Sequence, residues 1–372
     1  MKKNLVIGIN SGTSFDGIDV ALVRFKGKDL RPVFLDGVSV KYPRAIKKKI
    51  SVLINDVGAY CNKPLQNTHL DSVLGEIFAD SALKLLKKTG LKKEDILLIG
   101  SHGQTIYHKP RVKSVQIGDG KTIAKKTGIK TVYDFRTADI KAGGQGAPLM
   151  PFLDHTVFNK SKNIKGVLNI GGISNITVVG KNITPIAFDI GPGNALIDLV
   201  SKKYFNKDYD KDGLFAGKGE VYLKLIDRAL KDKYFKAKPP KSTGKEYFNE
   251  KFIKKYFSSI KNKYDLIATI TCFSAECIEQ ALYDFVFPKY NLNELVISGG
   301  GLKNKALIYH LQSLLPDIRF SSSDHYDLPY QYKEAMLFAL LGYTCHLGIP
   351  NNIPSCTGAK RKVVLGKIIK AY

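Results

Sequence analysis

The sequence lacks tryptophan and is poor in cysteine. None of its 372 residues is tryptophan, and only five are cysteine, at positions 61, 272, 277, 345 and 356. No two cysteines have the C-x-x-C spacing, so no disulfide framework is predicted. No apolar run approaches the roughly 18 residues that cross a bilayer. The first ten residues carry two lysines but too short an apolar stretch for a secretory signal, so we expect a cytoplasmic protein.

Acidic residues are scarce beside basic ones. The chain has 58 lysines and arginines against 33 aspartates and glutamates, a formal net charge of +25. Such a charge is typical of nucleic-acid binders. The lysines are scattered, however, and aromatic residues are not interleaved with them as in RNA-binding patterns. We therefore expect no nucleic acid. The alternative source of the charge is a general lysine bias of the organism's proteins, together with attraction for anionic substrates.

The two common nucleotide-binding fingerprints are absent. The sequence has neither the P-loop pattern nor a strand-borne G-x-G-x-x-G. It has instead three glycine-rich turns, each after a predicted strand: Gly12–Gly17, Gly171–Asn175 and Gly299–Gly301. Glycine lets backbone N–H groups approach a phosphate closely. One such turn indicates only a hairpin, but three predict a phosphate clamp built from hairpins.

The predicted elements form two α/β lobes, and each lobe opens with a strand, a polar turn and a strand. The first pair is Lys3–Asn10 and Ile18–Phe25, and the second is Ile164–Ile170 and Ile176–Val179. Between them, Ile96–Gly100 reads as a short buried strand that ends in the polar run SHGQT. Alternation of strands and helices is typical of the α/β class.

Aspartates stand in or beside these turns. Phosphoryl transfer needs Mg²⁺ on the phosphate oxygens and a carboxylate that activates the nucleophile. Asp16 and Asp19 flank the return strand of the first hairpin, and Asp189 ends a predicted strand in FDIGPGN. The alternative interpretations are turn capping for Asp16 and Asp19, and a helix N-cap for Asp189.

Taken together, the segments resemble the anhydro-N-acetylmuramic acid kinase family, within the actin, hexokinase and heat-shock ATPase superfold. In chain order, from residue 11 to 366, they are SGTSFDGID, SHGQTIYHKP, QIGDG, YDFRTADIKAGGQGAPLMP, LNIGGISNIT, FDIGPGNALID, PPKSTGKEYFN, ISGGGLKN, EAMLFALL and IPSCTGAKRKVVLG. The resemblance implies a two-lobed α/β fold, with two ribonuclease-H-like domains around a central cleft.

The resemblance also implies a reaction. Members of the family cleave the 1,6-anhydro bond of anhydro-N-acetylmuramic acid with water and transfer the γ-phosphoryl group of ATP to O6, which recycles cell-wall sugar. By this resemblance Asp189 is the catalytic aspartate, ATP and Mg²⁺ are the cofactors, and the chain is a homodimer. A carboxylate suits the task, because water that attacks the anomeric carbon needs a general base.

The predicted nucleotide site combines the three turns. Its residues are Gly12, Thr13, Ser14, Phe15, Asp16, Gly17, Ile18, Asp19, Asn169, Gly171, Gly172, Asn175, Gly299, Gly300 and Gly301. The first eight match the family's phosphate-binding hairpin. Asn169 and Asn175 are candidate contacts to phosphate or to Mg²⁺-bound water. Asp16 and Asp19 are the candidate metal ligands, directly or through water.

The sugar contacts are predicted to be His102, Gln104, Arg136 and Glu334. Arginine is the natural partner of the lactyl carboxylate, because its planar fork binds two oxygens. The alternatives are a structural loop histidine, an ion pair of Arg136 with a nearby aspartate, and a plain surface carboxylate on the last helix.

The sequence divides into a first lobe of residues 1–135 plus about 350–372 and a second lobe of 136–349. Departures from the family pattern are few: Tyr107 and Leu340 stand where tryptophan is common, and Asn10 replaces a common apolar residue. Two other functions stay open, a different sugar kinase of the same superfold and an actin-like ATPase that uses no sugar.

Overall fold

The structure, a computed structural model, describes residues 4–12, 17–26, 29–56 and 69–371. Its strands are β1 Leu5–Ser11, β2 Gly17–Lys26, β3 Asp29–Lys41, β4 Ile96–Lys109, β5 Lys113–Ile117, β6 Thr131–Tyr133, β7 Ile164–Ile170, β8 Ile173–Val179, β9 Ile186–Pro192, β10 Leu292–Ser298, β11 Arg319–Ser322 and β12 Lys367–Ile369. Its α-helices are α1 Arg44–Asp56, α2 His69–Thr89, α3 Gly120–Thr127, α4 Thr137–Lys141, α5 Met150–Phe158, α6 Ala195–Phe205, α7 Leu223–Leu230, α8 Lys233–Lys236, α9 Glu250–Phe257, α10 Lys263–Phe285, α11 Lys305–Leu314, α12 Lys333–His346 and α13 Pro354–Thr357.

The chain forms two compact units. Residues 1–157 and 327–372 make the first, and residues 158–326 make the second. The boundaries differ from those predicted, since residues 136–157 and 327–349 belong to the first unit. The physical reason is packing and hydrogen bonding: α12 packs on β1, β2 and β4. In addition, Asp139 accepts hydrogen bonds from the Gly146 backbone N–H, Asn352 and Thr357.

The two units repeat one strand order. In the first unit β3, β2 and β1 are antiparallel neighbours, and β4 and then β6 continue the sheet in parallel with β1. In the second unit β9, β8 and β7 are antiparallel, and β10 and β11 continue in parallel with β7. This repetition confirms the predicted pair of ribonuclease-H-like α/β units.

Helices cover both faces of the first sheet. Along β1, Ile7 and Ile9 pack in the core with Leu74 and Phe78 of α2. The intervening Gly8 faces α12, because side chains of a strand alternate between its two faces. A Cβ at Gly8 would lie 1.8 Å from the Ala335 carbonyl oxygen. Glycine therefore lets α12 press directly onto the strand.

The neighbouring strand repeats this close approach. Gly100 of β4 lies opposite Gly8 in the parallel ladder. A Cβ at Gly100 would stand 2.1 Å from the Phe338 carbonyl oxygen of α12. The β4 strand is also longer than predicted, because SHGQT continues the strand instead of turning away from it. The close contact of α12 thus fixes the ends of β1 and β4, where the candidate site residues stand.

The second unit has its own core. Apolar residues of its sheet, such as Leu168, Ile176 and Ile190, pack with Phe273 and Ile278 of α10. Among the described residues, no helix is both long and apolar enough to cross a lipid bilayer. Four cysteines, Cys272, Cys277, Cys345 and Cys356, are buried and free, and Cys61 lies outside the described residues.

Replacing Gly100 by alanine tests the contact between α12 and the sheet. We expect the variant to lose about 1–3 kcal/mol of unfolding free energy, because the new methyl group overpacks against a helix carbonyl. Gly217→Ala is the matched control, since a Cβ there meets nothing within 4 Å. Urea unfolding measures both, and equal stability of the two variants would contradict the packing described.

Candidate active site

Gln104 supports the start of the first glycine-rich turn through hydrogen bonds. The Ser11 hydroxyl donates to Gln104 Oε1 at 2.6 Å, and the Gln104 amide donates to the Gly12 and Thr105 carbonyl oxygens at 3.3 and 3.2 Å. Gln104 is fully buried. Both of its N–H groups are thus used within the protein, where they support the turn; the contact of Gln104 with the sugar stays a prediction.

The rest of the first turn is partly described. Gly17 begins β2, Ile18 is buried in the core, and Asp19 lies opposite Asn10 in the ladder of β1 and β2. Thr13, Ser14, Phe15 and Asp16, which were predicted to bind ATP or metal, lie outside the described residues.

His102 and Arg136 form one hydrogen-bonded pair. Arg136 Nε and Nη2 donate to His102 Nε2 at 3.2 and 3.1 Å, and Nη1 donates to the Gly146 carbonyl oxygen at 2.8 Å. The imidazole stacks on Phe338 of α12, with ring centroids 4.3 Å apart. The guanidinium group of Arg136 points to His102, so Arg136 pairs with the histidine and not with a neighbouring aspartate, the alternative considered from the sequence.

This pairing fixes the proton on the His102 ring. Because arginine can only donate, Nε2 accepts and the ring proton is on Nδ1. Burial, reinforced by the charge of Arg136, holds the pKa of His102 well below its usual value, so the ring is neutral. Its buried Nδ1 has no hydrogen-bond partner in the described part of the chain. The site therefore presents an N–H donor without an acceptor.

Glu334 stands in the first turn of α12. Its Oε2 accepts a hydrogen bond of 2.5 Å from Asn10 Nδ2. The side chain as a whole reaches solvent, but loss of water contact at its carboxyl group raises the pKa of Glu334 most. The Asn10 hydrogen bond lowers this pKa, and the negative charge of Asp19 raises it. Burial also raises the pKa of Asp19, whose carboxylate accepts a hydrogen bond from Ser39. The first unit thus gathers His102, Arg136 and Glu334, together with the Asp19 carboxylate near the first turn.

In the second unit, the other two glycine-rich turns lie together. The Gly193 and Asn194 backbone N–H groups donate to the Gly172 and Gly171 carbonyl oxygens at 2.9 and 2.8 Å. A Cβ at Gly299 would lie 2.6 Å from the Ile170 carbonyl oxygen, and Gly299 has a φ of +90°. Only glycine adopts this approach without strain. The start of α6 and the turns around Gly171 and Gly299 therefore share one region.

A row of polar residues crosses the strands beside these turns. Asn169 of β7 lies opposite Asn175 of β8, and Asn175 lies opposite Asp189 of β9. On the other side, Ser298 of β10 lies opposite Asn169 and donates to its Oδ1 at 3.4 Å. Directly opposed residues share one face of a sheet. Three predicted site residues are thus neighbours, and Ser298 is a fourth that the sequence analysis missed.

Asp189 is held by the segment 234–243. Its Oδ2 accepts from the Thr243 backbone N–H at 3.0 Å, and its backbone carbonyl accepts from the Tyr234 hydroxyl at 2.7 Å. Burial raises the pKa of Asp189 to about 6, against the lowering effect of the Thr243 N–H, while the charge of Glu246 raises it further. The carboxylate is therefore ionised at neutral pH and basic enough to accept a proton.

Lys245 lies over the second turn. A Cβ at Gly172 would be 2.7 Å from Lys245 Cε and 3.5 Å from its Nζ. The positive charge of Lys245 lowers the pKa of Asp198, which burial nonetheless raises to about 6. In the sequence, PPKSTGKEYFN contributed only to the family resemblance. Its own signal is a basic residue inside a glycine-containing segment, which the fold brings to the turn at Gly172.

Removing the Arg136 guanidinium tests the histidine pair. We expect Arg136→Met to raise the pKa of His102, because the variant removes a neighbouring positive charge and loosens the burial of the ring. Histidine NMR titration measures the pKa, with His102→Gln used to assign the resonance. Arg24→Met, at an exposed arginine of the same unit, serves as control. A His102 pKa that stays unchanged in Arg136→Met would contradict the pairing.

A family model described as anhydro-N-acetylmuramic acid kinase matches residues 4–371 of the chain. Among the relatives that carry this name, the protein of Caldanaerobacter subterraneus subsp. tengcongensis is 41% identical; the match covers 99% of this chain and 97% of the relative. The protein of Francisella tularensis subsp. novicida is 39% identical, and the match covers 97% of each chain. Among solved structures, component A of the (R)-2-hydroxyglutaryl-CoA dehydratase of Acidaminococcus fermentans covers 92% of this chain and 98% of its own, with 15% identity and a TM-score of 0.47. The chain belongs to the anhydro-N-acetylmuramic acid kinase family.

Proposed function

We propose that this protein cleaves the 1,6-anhydro bond of anhydro-N-acetylmuramic acid with water and transfers the γ-phosphoryl group of ATP to O6. The products are N-acetylmuramic acid 6-phosphate and ADP, and the reaction serves the recycling of cell-wall sugar. Membership of the family supports the reaction. The observation that carries it in this chain is Asp189, a held carboxylate of raised pKa in one polar row with Asn169 and Asn175.

Asp189 is proposed as the general base. The Thr243 N–H fixes one carboxylate oxygen, which leaves the other to accept a proton from the attacking water. A pKa of about 6 keeps the base ionised at pH 7 without making it too weak. As water adds to the anomeric carbon, the C1–O6 bond breaks and O6 takes the phosphoryl group. No acid is then needed to protonate O6.

The phosphates of ATP are assigned to the glycine-rich turns. In the second unit the turns around Gly171 and Gly299 lie together, and Lys245 lies over Gly172. Backbone N–H groups and a lysine ammonium group neutralise phosphate charge. In the first unit, Gln104 holds the base of the first turn, and the residue types at 12–19 complete this assignment by family resemblance.

The sugar is assigned to polar groups of the first unit. The unpaired His102 Nδ1–H suits an acceptor oxygen such as the N-acetyl carbonyl. Arg136 uses three of its five N–H groups in the bonds described, and the other two suit the lactyl carboxylate. Glu334 accepts from Asn10 at one oxygen, and its other oxygen suits a sugar hydroxyl.

Mg²⁺ is proposed to bind at Asp19, through water. Magnesium takes few protein carboxylates and keeps several of its waters. The described residues fit this chemistry, since Asp19 offers a carboxylate while no three metal-binding side chains converge among them. When bound, the ion would neutralise charge on the β- and γ-phosphate oxygens. Asp16 remains a predicted ligand outside the described residues, and the homodimer remains a prediction of the resemblance.

The dependence of ADP release on the sugar tests the proposal. With ATP and Mg²⁺, we expect ADP release to require anhydro-N-acetylmuramic acid and to yield one phosphorylated, ring-opened sugar per ADP. A coupled ADP assay with mass spectrometry of the sugar measures both. ADP release without any sugar would indicate an actin-like ATPase, and preference for a sugar without the anhydro bond would indicate a different kinase.

Replacing Asp189 by asparagine tests the base. We expect Asp189→Asn to lower kcat by about 10²–10⁴-fold, the usual contribution of a general base. Ring opening and phosphorylation should fall together, while binding of ATP, measured by calorimetry, should persist. Asp227→Asn is the control, since Asp227 is an exposed aspartate of the same unit. Phosphorylation that continues without ring opening would refute a shared base.

A further inference from the structure

We propose that Asn10 is a positioning residue for the sugar site: its amide holds the Glu334 carboxylate in the orientation that the sugar hydroxyl requires. This inference rests on the proposed function, because that function assigns Glu334 to the sugar. It concerns a residue at which this chain departs from the pattern of the family it resembles, where an apolar side chain is common.

The contact joins a buried amide to the carboxylate of a side chain that reaches solvent. Asn10 is 4% exposed, whereas the Glu334 side chain is exposed to solvent. Such side chains normally sample several rotamers, so a fixed one needs a partner that cannot move. The bond of 2.5 Å between Asn10 Nδ2 and Glu334 Oε2 supplies it. A hydrogen bond with one charged partner is stronger than one between neutral groups.

The backbone brings these two residues together. Asn10 follows Gly8 by two positions on β1 and therefore faces α12 as Gly8 does. The carbonyl of Ala335, the residue after Glu334, is the group that approaches Gly8. The N-terminal turn of α12 is thus pressed onto the end of β1, and Glu334 meets the next side chain on that face, which is Asn10.

The charges around Glu334 show why a neutral donor is needed there. Asp19 on β2 lies opposite Asn10 and opposes ionisation of Glu334, and Arg136 and Lys333 favour it. Lys333 is itself paired with Asp154 at 2.9 Å, and Arg136 is turned to His102. Asn10 is the group that donates directly to the carboxylate among the described residues. An apolar side chain would leave Glu334 beside Asp19 with no donor.

A double-mutant cycle tests the proposal. The variants are Asn10→Leu, which keeps the size of the side chain, Glu334→Ala, and the two combined. We expect Asn10→Leu to lower kcat/KM for the sugar about tenfold or more, the effect of losing one hydrogen bond to a charged group. The KM for ATP should stay unchanged. In the Glu334→Ala background, Asn10→Leu should cost almost nothing further, because the two residues act as one unit.

Two outcomes of the cycle would overturn the inference. An equal loss in both backgrounds would mean that Asn10 acts independently of Glu334, as a merely structural residue would. An unchanged kcat/KM in Asn10→Leu would mean that the amide does not act at all. Asn163→Leu, at an exposed asparagine of the second unit, is the control for the general effect of replacing an asparagine by leucine. Thermal unfolding shows whether each variant is folded.

A titration gives a readout that needs no turnover. In ¹³C NMR of the glutamate carboxyl groups, with Glu334→Ala used for assignment, we expect Asn10→Leu to raise the pKa of Glu334. The acid limb of the sugar kcat/KM profile should move to higher pH with it. An unchanged pKa contradicts the inference even in an active enzyme. Conversely, a wild-type protein that does not turn over the sugar refutes the proposed function, while the titration still decides the role of Asn10.

Discussion

The contact between α12 and the ends of β1 and β4 determines the site of the first unit. Gly8 and Gly100 stand opposite each other and leave no room for a Cβ under the helix. Two residues further along each strand, Asn10 and His102 meet Glu334 and Phe338 of the same helix. The two glycines thus allow the close approach of α12 that positions the side chains of Asn10, His102, Glu334 and Phe338. Interiors pack too densely for a helix to move without repacking, so this geometry is rigid.

Much of this arrangement was accessible from the sequence. Buried strands followed by glycine-rich turns predicted the α/β class, and the two units confirm it. The sequence also placed His102, Arg136 and Glu334 in one proposed site, and the structure brings these three into one unit. Strands and turns with a strong local sequence pattern were predicted well, because short-range steric preferences determine their backbone conformation.

The errors concern contacts between distant segments. The strand was predicted to stop at Gly100, where the polar run SHGQT begins, but the chain continues as a strand to Lys109 and pairs with β5. The helix α12 was assigned to the second lobe, because nothing in its own residues indicates that it covers Gly8. Thr243 contacts Asp189 through a backbone N–H, and every residue except proline has that group. No side-chain pattern distinguishes such a donor.

The two units also carry similar polar rows. Asn10 faces Asp19 across β1 and β2, and Asn169 faces Asn175 across β7 and β8, the strands at the same places in the repeated order. In the second unit the row continues to the proposed base Asp189, and in the first unit it continues to Ser39, which donates to Asp19. The same arrangement of strands thus occurs in both units, and the polar side chains at the equivalent strand positions differ between them.

The second unit is continuous in sequence, whereas the first is split around it. During synthesis from the N-terminus, residues 158–326 emerge complete while the sheet of the first unit still lacks α12 and β12. Domains generally fold as units during synthesis. One face of β1 and β4 in the nascent first unit is therefore not covered by α12 until residues 327–372 leave the ribosome. A chain that ends before residue 333 lacks Glu334 together with α12, so Gly8 and Gly100 lose the helix that packs directly on them.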